Sequence, residues 1–115
     1  MRRDDGRAMF ETVTGMQPPE PSSPFLEMTV DFVFGEIWTR PGLTRKERRW
    51  IALTAAAANG QAEITQVHVR SALASGDISA EELREFVLHF ATYQGWPKGA
   101  ILSGLVEEAI AAAAS

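Results

Sequence analysis

Wound at the helical period, the chain separates into four stretches with one apolar face and one stretch that is apolar almost all round. The exceptional stretch is 25–38, Phe-Leu-Glu-Met-Thr-Val-Asp-Phe-Val-Phe-Gly-Glu-Ile-Trp, predicted as one helix. A helix apolar on nearly every side must be buried on nearly every side, which one small domain hardly provides, so this segment predicts an oligomer. Pro41 and Gly42 end it, because the residue before a proline is driven out of helical geometry and glycine supplies the turn.

The four amphipathic stretches carry their own punctuation. Thr44 and Glu47 form a capping-box pattern opening a helix at about 45–58, with Ile51, Leu53, Thr54, Ala55 and Ala58 as its packing face and Asn59-Gly60 as its stop. The next helix begins at Gln61 or Ala62 and runs to Ala74, with Ile64, Val67, Ser71, Ala72 and Leu73 on one side and Ser75-Gly76 behind it. Ser79 and Glu82 give a second capping box, and the helix they open reaches about Tyr93 with the stripe Leu83, Phe86, Val87 and Phe90. The last helix starts at Pro97, a favoured first position, and carries Ile101, Leu102, Leu105, Val106, Ala109 and Ile110. No stretch alternates as a strand does. The prediction is an all-α fold, a single small helical domain of about five helices with short connections.

Residues 1–24 differ in kind. Charged at first and then rich in Pro and Ser, they read as an extended Pro-rich arm ahead of a helical domain at 25–115. Met9, Phe10, Val13 and Met16 mark a short helical piece within the arm, whose apolar anchors are expected to pack on another surface, a neighbouring subunit included.

Composition narrows the chemistry more than it narrows the fold. The 115 residues hold no Cys, which removes thiolate nucleophiles, dithiol redox centres and thiolate metal sites. With 11 Lys+Arg against 15 Asp+Glu, the chain lacks the positive excess that phosphate backbones attract, so nucleic acid is excluded as a partner. Nothing has the length and hydropathy of a membrane span or a secretory leader, and the expected location is the cytoplasm.

Acid–base chemistry then falls to histidines and carboxylates. His68 lies four residues after Ile64 and four before Ala72, on the apolar stripe of its helix. There it is either a general acid or base or a core imidazole bonded to a backbone carbonyl. His89 follows Glu85 by four, a spacing that stabilises a helix only slightly. No His and carboxylate spacing places metal ligands on one helix face, so no metal is expected. Glu47 and Glu82 are engaged in capping boxes, and Glu107 and Glu108 read as a solvated face. Glu36 sits among apolar residues and needs Arg40 or Arg48 as a partner unless it is a functional acid. Glu85, past the cap and beside the apolar stripe, is placed at the edge of a cleft.

Five pieces in order carry a resemblance: Phe34-Gly35-Glu36-Ile37-Trp38-Thr39-Arg40-Pro41-Gly42-Leu43, Arg48, His68-Val69-Arg70-Ser71-Ala72-Leu73-Ala74-Ser75-Gly76, Glu81-Glu82-Leu83-Arg84-Glu85 and Ala91-Thr92-Tyr93-Gln94-Gly95-Trp96-Pro97. Together they resemble the carboxymuconolactone decarboxylase family over nearly the whole chain. The resemblance implies the all-α fold of alkylhydroperoxidase D-like proteins, assembled as homo-oligomers such as trimers or hexamers. The redox branch of that superfamily carries two cysteines ahead of its histidine, and here Gln61 and Ile64 stand in their places, so peroxidase activity is excluded. The decarboxylase branch implies a cofactor-independent lyase that removes carbon dioxide from a small carboxylated unsaturated lactone of aromatic catabolism. On that reading His68 and Glu85 are catalytic, Arg40 and Arg48 bind substrate carboxylates, and Tyr93, Trp38, Trp96 and Glu36 line the pocket. The alternatives are a non-catalytic oligomeric protein binding a small aromatic ligand, and an isomerase or hydrolase on a related ring compound.

Overall fold

The computed structural model describes residues 2–114. They form α1 (Arg2–Thr14), α2 (Pro24–Met28), a π-helix (Thr29–Ile37), α3 (Arg45–Ala58), α4 (Ala62–Ser75), α5 (Ala80–Gln94) and α6 (Trp96–Ala113), with no strand among the described residues. The fold is all-α, as the periodicity predicts. The chain divides into two compact units, with the boundary between Arg48 and Arg49.

In the first unit, the expected extended arm is largely a helix. The prolines begin only at Pro18, and ahead of them Asp4 and Asp5 occupy the first turn of α1, where negative charge favours a helix N-terminus. Gly15, at a φ of 72°, ends the helix, and irregular backbone is confined to the Pro-rich residues that follow. Instead of reaching away, α1 docks on the π-helix. A methyl group on Gly6 would overlap the Val30 carbonyl oxygen, so glycine is what permits the close crossing. Arg3 forks onto the Asp31 carboxylate at 2.9 and 2.8 Å and holds that carboxyl below its usual range, chiefly through the hydrogen bond. Arg2 donates to the Asp31 carbonyl at 2.8 Å and pairs with Glu36 at 3.2 Å. The partner of Glu36 is therefore Arg2, from a segment assigned to the arm, where the sequence pointed to Arg40 or Arg48. Phe10 meets Phe34 edge-on at 5.0 Å, and Val13 is fully buried.

The predicted single helix at 25–38 is two. Ser23 accepts from the Leu26 amide at 3.2 Å to start α2, and from Thr29 the bonding widens to the i→i−5 pattern seen in Trp38 N–H to Val33 C=O at 3.0 Å. The wider winding puts Val30, Phe34 and Gly35 together on the buried side. Phe25, Met28, Phe32, Val33 and Ile37 stay exposed, so the stretch is apolar all round in composition but buried on one side only.

The second unit is built around Leu53, Val69, Ala72, Ile78, Leu83, Phe90, Leu102, Val106 and Ala109. Both capping boxes form: Ser79 and Glu82 exchange bonds at 2.9 and 3.1 Å, and in the first unit Thr44 and Glu47 do so at 2.7 and 3.1 Å. Gly99 brings α6 against Ala91 of α5, where an added methyl would overlap the alanine side chain. The stripe of α5 is the predicted one, but the faces of α3 and α4 are rotated. Ile51 and Ile64 are exposed, and the buried positions are Arg49, Leu53 and Ala56 on α3 and Thr65, Val69, Ser71 and Ala72 on α4. A paired arginine and a threonine bonded to its own helix occupy interior positions that a hydropathy pattern gives to isoleucine.

Candidate active site

His68 projects from the middle of α4 and is half-buried. Burial pushes its imidazole below the ordinary value of 6.5, and the positive charge of Arg49 adds to the depression. The resting imidazole is thus neutral at pH 7, and its conjugate acid releases a proton more readily than a free imidazolium. Arg49 itself is only 1% exposed, and its Nε donates to Asp77 Oδ2 at 2.7 Å. The guanidinium is thus both buried and ion-paired, and it is close enough to bias the His68 imidazole. Arg49 was absent from the sequence-derived candidates, although a signal existed: it precedes Leu53 by four and Ala56 by seven, on the same helical stripe.

Glu85 lies on an exposed turn of α5 and lines an open groove of about 400 Å³ with Trp50, Glu82, Phe86 and His89. Trp50 and Phe86 form its aromatic floor, their rings 5.0 Å apart. The Tyr93 ring lies 5.3 Å from that of His89 and is exposed. His89 thus lies with Glu85 and Tyr93 beside an aromatic surface. Trp96 is exposed on the first turn of α6 and borders a different depression with Leu88, Ala100 and Ser103.

The remaining predicted site residues belong to the first unit. Trp38 stacks on Phe34 at 5.9 Å, Glu36 pairs with Arg2, and Arg48 donates from Nη2 to the Arg40 carbonyl at 3.2 Å. Arg40 is exposed and Arg48 half-buried. Among the described residues, no group of three or more His, Asp and Glu is arranged to hold a metal ion, and no helix is long and apolar enough to cross a membrane.

Comparison with known proteins follows the same direction. The model of the carboxymuconolactone decarboxylase family matches residues 23–108. A 4-carboxymuconolactone decarboxylase of Acinetobacter baylyi is 32% identical over 77 residues, covering 67% of this chain and 57% of that protein. The nitrosuccinic acid decarboxylase npaB of Metarhizium robertsii is 35% identical over 74 residues, covering 64% of this chain and 51% of that protein. The chain therefore spans little more than half the length of these relatives. No solved structure matches it.

Proposed function

The chain belongs to the carboxymuconolactone decarboxylase family, and from that membership we propose that it is a cofactor-independent decarboxylase of a small carboxylated unsaturated lactone. The observation that carries the proposal is the electrostatic setting of His68, neutral by virtue of burial and of the Arg49 charge. Loss of carbon dioxide breaks a carbon–carbon bond and leaves its electron pair in the ring, where conjugation spreads it into the lactone carbonyl. A proton must then be returned to carbon. His68, neutral at rest, takes up that proton from solvent, and the imidazolium so formed, more acidic than a free one, passes it to carbon and is left neutral again. Glu85 and His89, one helical turn apart over the Trp50 and Phe86 floor, form a second pair able to relay protons. Tyr93 beside them offers a hydroxyl to a developing oxyanion.

Two kinds of substrate follow from what the relatives are named for. Carbon dioxide release from 4-carboxymuconolactone supports the lactone reading. Release from nitrosuccinate alone keeps the decarboxylase and replaces the substrate class. If the folded protein releases carbon dioxide from neither, nor from other carboxylated lactones, the proposal fails.

A further inference from the structure

A cavity at the turn between α3 and α4 has no part in the acid–base reading. It measures about 130 Å³, and Ala57, Ile101, Leu102 and Leu105 give it apolar walls. Its polar lining is sparse and one-sided. Among the described residues, Lys98 is the one charged side chain bordering it, and no carboxylate does. The Lys98 ammonium is held in place by donating to the Ala58 carbonyl at 2.8 Å, at the last residue of α3. That bond uses one of its three donors.

Gln61, the residue preceding α4, also lines the cavity, and its side chain makes no capping bond to the helix. Its amide is a second donor. Thr65, by contrast, commits its hydroxyl proton to the Gln61 carbonyl at 2.7 Å. A ligand here therefore meets one cation and one side-chain amide in a lining that is otherwise mostly hydrocarbon.

We propose that this cavity binds a short-chain apolar monocarboxylate. An apolar cavity of about 150 Å³ accommodates benzene, so the space suits a chain of roughly four to six carbons. Charge complementarity selects the head group, since Lys98 has no competing anion in the lining. The walls select the tail. A second carboxylate, as on a dicarboxylic acid, would find no second cation in the lining to pair with and would sit against a mostly apolar wall.

The test uses the full chain with labelled Ile and Leu methyl groups, titrated with pentanoate, 1-pentanol, pentylamine and glutarate and followed by NMR. Pentanoate is expected to shift the methyl groups of Ile101, Leu102 and Leu105, with each of the other three binding at least about tenfold more weakly. Lys98→Met lowers pentanoate affinity about tenfold and Lys98→Arg largely restores it. Leu105→Trp, which fills the space, removes binding.

Equal binding of pentanol and pentanoate, an unchanged affinity in Lys98→Met, or shifts mapping elsewhere would each overturn the proposal. Should Lys98→Met not fold, the four-ligand comparison on the unmodified protein decides alone. His68→Gln is expected to bind pentanoate unchanged, so failure of the decarboxylase reading and failure of this one are separable.

Discussion

Arg49 and Asp77, 28 positions apart in sequence, form an ion pair of 2.7 Å around a guanidinium that is 1% exposed. The pair fastens α3 to the loop between α4 and α5 and sets the field that His68 feels. Asp77→Asn keeps the shape but removes the negative charge of the buried pair, a loss of about 3–5 kcal/mol by analogy with other broken buried pairs. Urea unfolding gives the loss directly. In the same variant the His68 imidazole is expected to titrate still lower, because the negative charge of Asp77 no longer offsets that of Arg49, and NMR titration of the ring reads that shift.

Stability should also depend on pH through His68. Its folded value lies below the ordinary 6.5, so on acidification the unfolded chain takes up the proton first. The contribution of a neutral His68 is complete above about pH 6.5 and is lost as pH falls below it toward the folded value. Urea midpoints at pH 7.5 and pH 5.5 are expected to differ in the unmodified protein and to differ less in His68→Gln. The ion-paired carboxylates Asp31 and Glu107 are held below the usual carboxylate range and titrate in a more acid window.

His68→Gln preserves size and polarity but removes the transferable proton. On the proposed reaction the expected loss in kcat is about 10²- to 10⁴-fold, the range of a general acid, with KM little changed. A loss confined to KM would assign His68 to binding instead.

Two glycines of α6 separate packing from propensity. Gly99→Ala places a methyl group on Ala91 and is expected to cost about 1–3 kcal/mol as overpacking. Gly104 has open space around it, so Gly104→Ala should stabilise the helix by up to about 1 kcal/mol. Thermal unfolding of the two variants should move in opposite directions.

Sequence pattern reached the features fixed by local chemistry. Both capping boxes, the glycine stop at Gly76 and the α5 stripe arise from residues within a few positions of one another, and such signals survive folding intact. Interior polar residues broke the pattern. Arg49 is buried because Asp77 meets it from another part of the chain, and a hydropathy rule applied to α3 alone has no access to that partner. Glu36 gave the same lesson, its demand for a cation having been legible and its answer, Arg2, distant. For the site, His68 stood out by its helical position, and the His89 and Tyr93 rings, four positions apart on α5, meet by local spacing; the Trp50–Phe86 floor instead depends on the packing of α3 against α5.

The π-helix makes chain length within 29–37 a question of phase. Each residue of an α-helix turns the chain by about 100°, so deleting one residue from the span while the wider bonding is kept would rotate its two ends against each other by roughly a quarter-turn, whereas a return to α-type bonding, with fewer residues per turn, takes up most of that rotation. In the first case a deletion between Asp31 and Phe34 leaves only one of the two contacts, Phe34 with Phe10 or Asp31 with Arg3, facing its partner on α1. An insertion or deletion there is thus a change of compass bearing rather than of composition, and the seat of α1 is the part that registers it.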